Sequence, residues 1–337
     1  MRRSSVSHSG GSAGESPEKW PLEKQFSTSA SARGASSTGY RPGNRRSAGS
    51  ADGAREELVY RNESIPAHLM KDTDCTEFLQ WALSRLGMRW PGFRRVRGQV
   101  CKRLGRRMAE LGMRDLAAYR ALLETHPEEW RRLDGLCRIS ISRFYRDRGV
   151  WRTLEREILP PLAERARARG ETRVRIWSAG CASGEEPYTL ALLFAFDEAL
   201  SDCRPEILAT DADPQLLERA RRACYPETSL RDIPPGWRAA FERFDDAHCL
   251  RADYRGAVRF LDQDIRHAFS ESHFDLILCR NLVFTYFETA AQAAIARRLA
   301  ERLVAGGRLL LGIHESLPES VPMLVQERPW LYRKREQ

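Results

Sequence analysis

Apolar positions along the chain fall into two textures. From Cys75 to about Arg152 they recur every three to four residues, as in CTEFLQWALSRLG and RVRGQVCKRLGRRMAELG. In the second of these Val96, Val100, Leu104, Met108 and Leu111 form one face of a helix. Beyond Arg152, short continuous apolar runs alternate with helical stretches. TRVRIWSAG (172–180), PEILATD (205–211), AVRFLDQD (257–264), FDLILCRN (274–281) and GRLLLGIHE (307–315) predict five strands. The stretches PYTLALLFAFDEAL, PQLLERARRACY and ETAAQAAIARRLAERLV predict helices between them. Such alternation predicts an α/β fold, an open and mostly parallel sheet wound on both faces, with ligands at the carboxyl ends of its strands. A last strand around LVQERPWLYRK closes the sheet.

Residues 1–73 lack this periodicity. Rich in Ser, Gly, Ala and Arg, they cannot bury enough surface to offset ordering entropy, and a disordered tail is expected. The chain thus divides into this tail, a helical module over 74–150 and an α/β domain over 151–337.

Composition adds charge to the picture. The 337 residues carry a formal net charge of +9. Residues 75–152 hold 18 Lys and Arg against 8 Asp and Glu, a net +10, so the basic character belongs to the helical module. Aromatic residues suited to base stacking are sparse there and no helix-turn-helix is readable, which favours an acidic protein partner over nucleic acid. The longest apolar run, TLALLFAF, stops at Asp197, short of the roughly 20 residues a membrane span needs. No apolar segment follows the N-terminal arginines as a signal peptide would require. A cytoplasmic monomer without membrane insertion is expected. Eight singly spaced cysteines with no C-x-x-C read as reduced packing residues, and no metal site is expected.

The candidate chemistry begins at GCASGEEPYTL (180–190), where the first strand turns into a helix. A glycine turn at a helix start usually cradles phosphate, but Glu185 and Glu186 would repel one. Gly180 and Gly184 fit neither G-x-G-x-x-G nor G-x-x-x-x-G-K-[ST]. S-adenosylmethionine, a phosphate-free cation, suits the carboxylates better. The second strand ends in ATDAD. There Asp213 before Pro214 reads as a helix N-cap, leaving Asp211 as the candidate for ribose hydroxyls. Arg280 and Asn281 follow the fourth strand at the ligand-facing edge.

Taken in order, SRFYRD, WSAGCASGEEPYTLA, ATDADPQLLERA, DLILCRN…YF and GGRLLLGIHES resemble the CheR family of S-adenosylmethionine-dependent protein-glutamate methyltransferases, over about residues 75–335. The resemblance implies a Rossmann-like methyltransferase sheet with an antiparallel last strand, a small all-α N-terminal domain and a small inserted subdomain near 225–256. It implies that Ser140, Ser142, Arg146, Gly180, Glu186, Asp211, Asp264, Ile265, Arg280 and Asn281 surround the cofactor, with Arg146 and Tyr286 at the transferred methyl. It implies as substrate the acidic helices of chemoreceptor cytoplasmic domains, docked by the basic module. Two motifs depart from the family pattern. CRNLVFTYF is one residue longer than C-R-N-x-x-x-Y-F, and GIHES replaces G-H-S-E, leaving the register of His314 open. A methyltransferase with another acceptor and a non-catalytic scaffold are the alternatives these departures permit.

Overall fold

The computed structural model describes residues 71–336, so most of the predicted tail lies outside the described residues. A first group of helices comprises α1 (Asp72–Arg85), α2 (Trp90–Phe93), α3 (Arg97–Glu110), α4 (Leu116–Thr125) and α5 (Pro127–Cys137). The apolar stripe read from the sequence is what packs them: Val100, Leu104 and Met108 are buried on α3, against Phe78 and Leu79 of α1, Tyr119 of α4 and Leu133 of α5. Asp115 caps α4 by accepting from the Ala118 amide at 2.8 Å, and Pro127 starts α5 at a position where its missing N–H costs nothing. Inside this group the Glu129 carboxylate is buried. It accepts from Arg107 Nε and Nη2 at 2.9 and 2.7 Å and from the Tyr119 hydroxyl at 2.8 Å.

The chain then runs through α6 (Arg148–Thr153), a π-helical turn and α7 (Leu159–Ala168) into the α/β domain. Its elements follow as β1 (Arg173–Ala179), α8 (Glu185–Phe196), β2 (Arg204–Asp211), α9 (Pro214–Arg222), β3 (Cys224–Pro226), β4 (Phe241–Phe244), β5 (Ala247–Leu250), β6 (Val258–Asp262), β7 (Phe274–Cys279), α10 (Val283–Tyr286), α11 (Thr289–Arg302), β8 (Leu303–Leu311), β9 (Leu324–Arg328) and β10 (Leu331–Lys334). Seven strands form one sheet in the order β6-β2-β1-β7-β8-β10-β9. The first five run parallel, and β10 pairs antiparallel with both β8 and β9. Every residue of β7 is buried, as expected for a central strand covered by helices on both faces. The expected single last strand is instead a hairpin. Pro329 and Trp330 turn the chain between β9 and β10, because Pro329 cannot donate to a ladder.

A separate antiparallel sheet, β3-β5-β4, falls where the inserted subdomain was expected. The cysteine expectation needs correction. Cys75–Cys101 joins α1 to α3, and Cys224–Cys249 joins partners directly opposite on β3 and β5, while Cys137, Cys181, Cys203 and Cys279 are buried free thiols. Both pairs are made by packing between elements about 25 residues apart, which linear spacing does not disclose.

Candidate functional site

The strand order reverses between β1 and β7, and the loops leaving their carboxyl ends splay apart there. This is the topological switch point at which open α/β sheets bind ligands. A cavity of about 360 Å³ occupies it. Ser140, Ser142 and Arg146 reach it from the segment before α6, and Gly180 and Glu186 from the β1–α8 turn. Asp211 reaches it from the end of β2, Asp264 and Ile265 from the loop after β6, and Arg280, Asn281 and Tyr286 from the end of β7 and α10. All eleven residues singled out from the sequence therefore line one cavity.

The β1–α8 turn works through its glycines. Gly180 has φ +82° with Leu282 packed against its α-carbon, and Gly184, at φ +92°, is the N-cap of α8. Both conformations cost little without a β-carbon. The adjacent acids diverge, since successive helical residues are rotated by about 100°. Glu185 is buried away from the cavity, accepting from the Ser183 hydroxyl, and burial raises its carboxyl above the usual range. Glu186 faces the cavity. Its Oε1 accepts from the Ser178 hydroxyl at 2.8 Å and its Oε2 from Arg280 Nη1 at 3.1 Å.

Arg280 is the buried hinge of this arrangement, with 3% of its side chain exposed. It also donates to Asp147 Oδ2 at 2.7 Å, and its guanidinium lies 5.4 Å from the centre of the Trp151 ring. The site wall is thus a pair of opposite charges rather than the bare carboxylates the sequence suggested. Asp213 caps α9, as expected, by accepting from Gln215 and Leu216. Asp211 is not left wholly free: its Oδ2 accepts from the Ala182 amide at 2.9 Å and its Oδ1 from the Asp213 amide at 3.0 Å. Burial raises its carboxyl despite those bonds. They orient the carboxylate and leave each oxygen a second lone pair.

Asp264 lies at the cavity wall with its carboxylate already engaged by Arg266, which also forks onto Asp134 of α5 at 2.7 and 2.9 Å. Arg266 holds the Asp264 carboxyl below the usual range, against the raising effect of burial. Arg146 donates to the Ile141 carbonyl at 2.7 Å and keeps 30% of its side chain exposed, with Arg95 and His314 also on the lining. Burial raises the Tyr286 phenol, so it is a hydrogen-bond donor at neutral pH. Tyr145, Asp147, Ala182 and Asn281, near or on this cavity, have φ between 48° and 64°. Such strain costs of order 1–3 kcal/mol per residue and gathers at functional sites.

Glu315 was missed from the sequence. It is buried, accepting from the Thr285 hydroxyl at 2.5 Å and from the Asn281 and Gly312 amides at 2.7 Å each, and burial raises its carboxyl. The readable signal was an acid directly after an apolar strand, within GIHES. Its neighbour His314 is exposed, while Glu315 turns inward.

A Rossmann-like sheet with a cavity at its switch point, lined in part by charged side chains, defines the class as nucleoside-cofactor α/β enzymes. The CheR methyltransferase SAM-binding domain matches residues 140–329, and the CheR methyltransferase all-alpha domain matches residues 96–133. The chain belongs to the CheR methyltransferase family, and its cofactor is S-adenosylmethionine. A chemotaxis protein methyltransferase of Listeria innocua is 35% identical over 183 residues, covering 54% of this chain and 67% of that protein. One from Escherichia coli K12 is 32% identical over 230 residues, 65% of this chain and 77% of that protein. Among solved structures, the glycopeptide N-methyltransferase MtfA complexed with S-adenosylmethionine is 16% identical with a TM-score of 0.29, covering 53% of this chain and 66% of that one. Among the described residues no helix is long and apolar enough to cross a membrane.

Two buried atoms test the fit of that cofactor. Arg280 Nε and Gln263 Oε1 have no hydrogen-bond partner among the described residues, and both residues line the cavity. One is a donor and the other an acceptor, and S-adenosylmethionine offers a carboxylate to the first and an adenine amine to the second.

Proposed function

We propose that the chain methylates glutamate side-chain carboxylates of a chemoreceptor-type protein, acting as a monomer in the cytoplasm. Bound S-adenosylmethionine supplies an electrophilic methyl group on a sulfonium. In this reading Glu186 faces its ammonium and Arg280 its carboxylate, so that opposite charges on the wall meet opposite charges on the ligand. Asp211 accepts from the ribose hydroxyls. Gly180, Asp264, Ile265 and Asn281 complete the wall, with Ser140 and Ser142 closing it from the segment before α6.

The observation that carries the acceptor class is that Arg146 and Arg95 line the same cavity as a protonated Tyr286. Two guanidinium groups beside a hydroxyl donor attract an anion and repel a protonated amine. A glutamate carboxylate, ordinarily ionised above pH ~4.3, is already the nucleophile and needs no general base. What it needs is placement, and Arg146 and Tyr286 supply donors to one of its oxygens while leaving the other to react. The 18-to-8 excess of basic residues over 75–152 supports docking of an acidic helix by the module. Arg146→Ala tests the assignment. Methyl transfer is expected to be lost while S-adenosylmethionine binding, followed by calorimetry, survives at least in part. Normal turnover by the purified variant would make Arg146 structural only.

A further inference from the structure

We infer that Arg89, in the link between α1 and α2, is a positioning residue for methyl transfer that acts through Tyr286; this rests on the reading that places Tyr286 at the transferred methyl. The single turn α10 is too short to satisfy its own last carbonyls. Arg89 takes three of them. Its guanidinium donates to the Phe284 carbonyl at 2.6 Å through Nη2 and to the Thr285 carbonyl at 3.2 Å through Nε, and its backbone N–H donates to the Tyr286 carbonyl at 2.8 Å.

Neighbouring contacts leave the turn little room. Met88 and Phe287 form an antiparallel bridge, and the Glu288 amide donates to the Gly87 carbonyl at 2.9 Å. Gly92 sits against the Thr285 carbonyl so closely that a β-carbon would collide with it, and the Phe93 ring lies 5.0 Å from that of Tyr286. The Glu315 carboxylate also accepts from the Thr285 hydroxyl. The helices before α6 therefore do more than present charge, since they fix the turn that carries the tyrosine. Arg89 is absent from the cavity lining, so it reaches the reacting groups only through α10. A planar guanidinium can donate to two successive carbonyls at once, whereas a lysine ammonium is a point donor without that fork.

The test compares full-length Arg89→Ala and Arg89→Lys with wild type after fluorotyrosine labelling, where the Tyr286 resonance among nine tyrosines is assigned by its disappearance in Tyr286→Phe. The Tyr286 signal is expected to shift or broaden in Arg89→Ala, and less so in Arg89→Lys, while the other signals hold. With the acceptor, kcat is expected to fall at least tenfold with S-adenosylmethionine affinity within twofold of wild type. Adding Arg89→Ala to Tyr286→Phe should then cost little more. An unmoved Tyr286 signal, an additive double variant or a parallel loss of cofactor affinity would overturn the inference. Should Arg89→Ala not fold, Gly92→Ala pushes the same turn from the same side and is held to the same outcomes. A wild-type chain that transfers no methyl to carboxylates would sink the functional reading instead, and the fluorine spectra would still decide the positioning.

Discussion

Replacing Arg280 with methionine keeps most of the side-chain volume and removes the guanidinium. In the folded protein that group is bonded to Asp147 at 2.7 Å and Glu186 at 3.1 Å, carboxylates whose side chains are only 18% and 14% exposed. Removing one partner of a buried ion pair leaves uncompensated charge and costs about 3–5 kcal/mol. Ser178 still donates to Glu186, which holds the expected loss toward the lower end of that range. The same substitution removes the orphaned Nε donor assigned to the cofactor carboxylate. A charge-assisted hydrogen bond contributes about 1.5–3 kcal/mol, so the dissociation constant for S-adenosylmethionine should rise roughly 10- to 150-fold. Urea unfolding measures the first effect, and titration calorimetry on the folded variant measures the second. Arg280→Lys restores charge without the fork and should recover only part of either loss. The reasoning is refuted if Arg280→Met binds the cofactor within twofold of wild type while losing stability, because Arg280 would then be a strut between Asp147 and Glu186 and nothing more.

Three further outcomes follow from the same geometry. Burial raises the Asp211 carboxyl, so cofactor affinity should begin to decline on acidification above the ordinary aspartate range near ~3.9, as protonation removes the ribose acceptor; Asp211→Asn should bind more weakly and flatten that dependence in a calorimetric pH series. Glu129 is opposite in sign. Its Arg107 bond lowers the carboxyl, so its contribution is present above the unfolded value of ~4.3 and is lost as pH falls through the lower folded value. Glu129→Ala should cost about 3 kcal/mol at neutral pH in urea unfolding, and a loss under 1 kcal/mol would contradict this account of the α3–α5 core. Each disulfide closes a loop of about 25 residues, which in the chain-entropy treatment stabilises by roughly 3.5 kcal/mol, so reductant should lower the urea midpoint of the oxidised protein and Cys224→Ser should abolish part of that response.

The parallel sheet was legible because its central strands are continuous apolar runs ended by polar residues, as in FDLILCRN. The carboxyl ends of such strands converge, which is why residues more than 140 positions apart, from Ser140 to Tyr286, could be assigned to one cavity. What stayed hidden depended on rotation or long-range packing. Glu185 and Glu186 differ by one helical step, and only the packing of α8 decides which faces the ligand. Asp264 looked available until folding brought Arg266 and Asp134 to it. The hairpin β9–β10 reads as one strand because both arms share a hydrophobic texture, and only Pro329 marks the turn. Glu315 shows no charge partner nearby in sequence, and two of its three donors come from Asn281 and Thr285, more than 25 residues earlier.

The central claim is that a protein carboxylate receives the methyl group. Incubating the chain with tritiated S-adenosylmethionine and chemoreceptor cytoplasmic domains, then treating the labelled protein with mild base, tests it directly. The account predicts label released as volatile methanol from glutamate-bearing peptides, absent with Arg146→Ala. Base-stable label, or wild-type transfer undiminished when the receptor glutamates are changed to alanine, would contradict it.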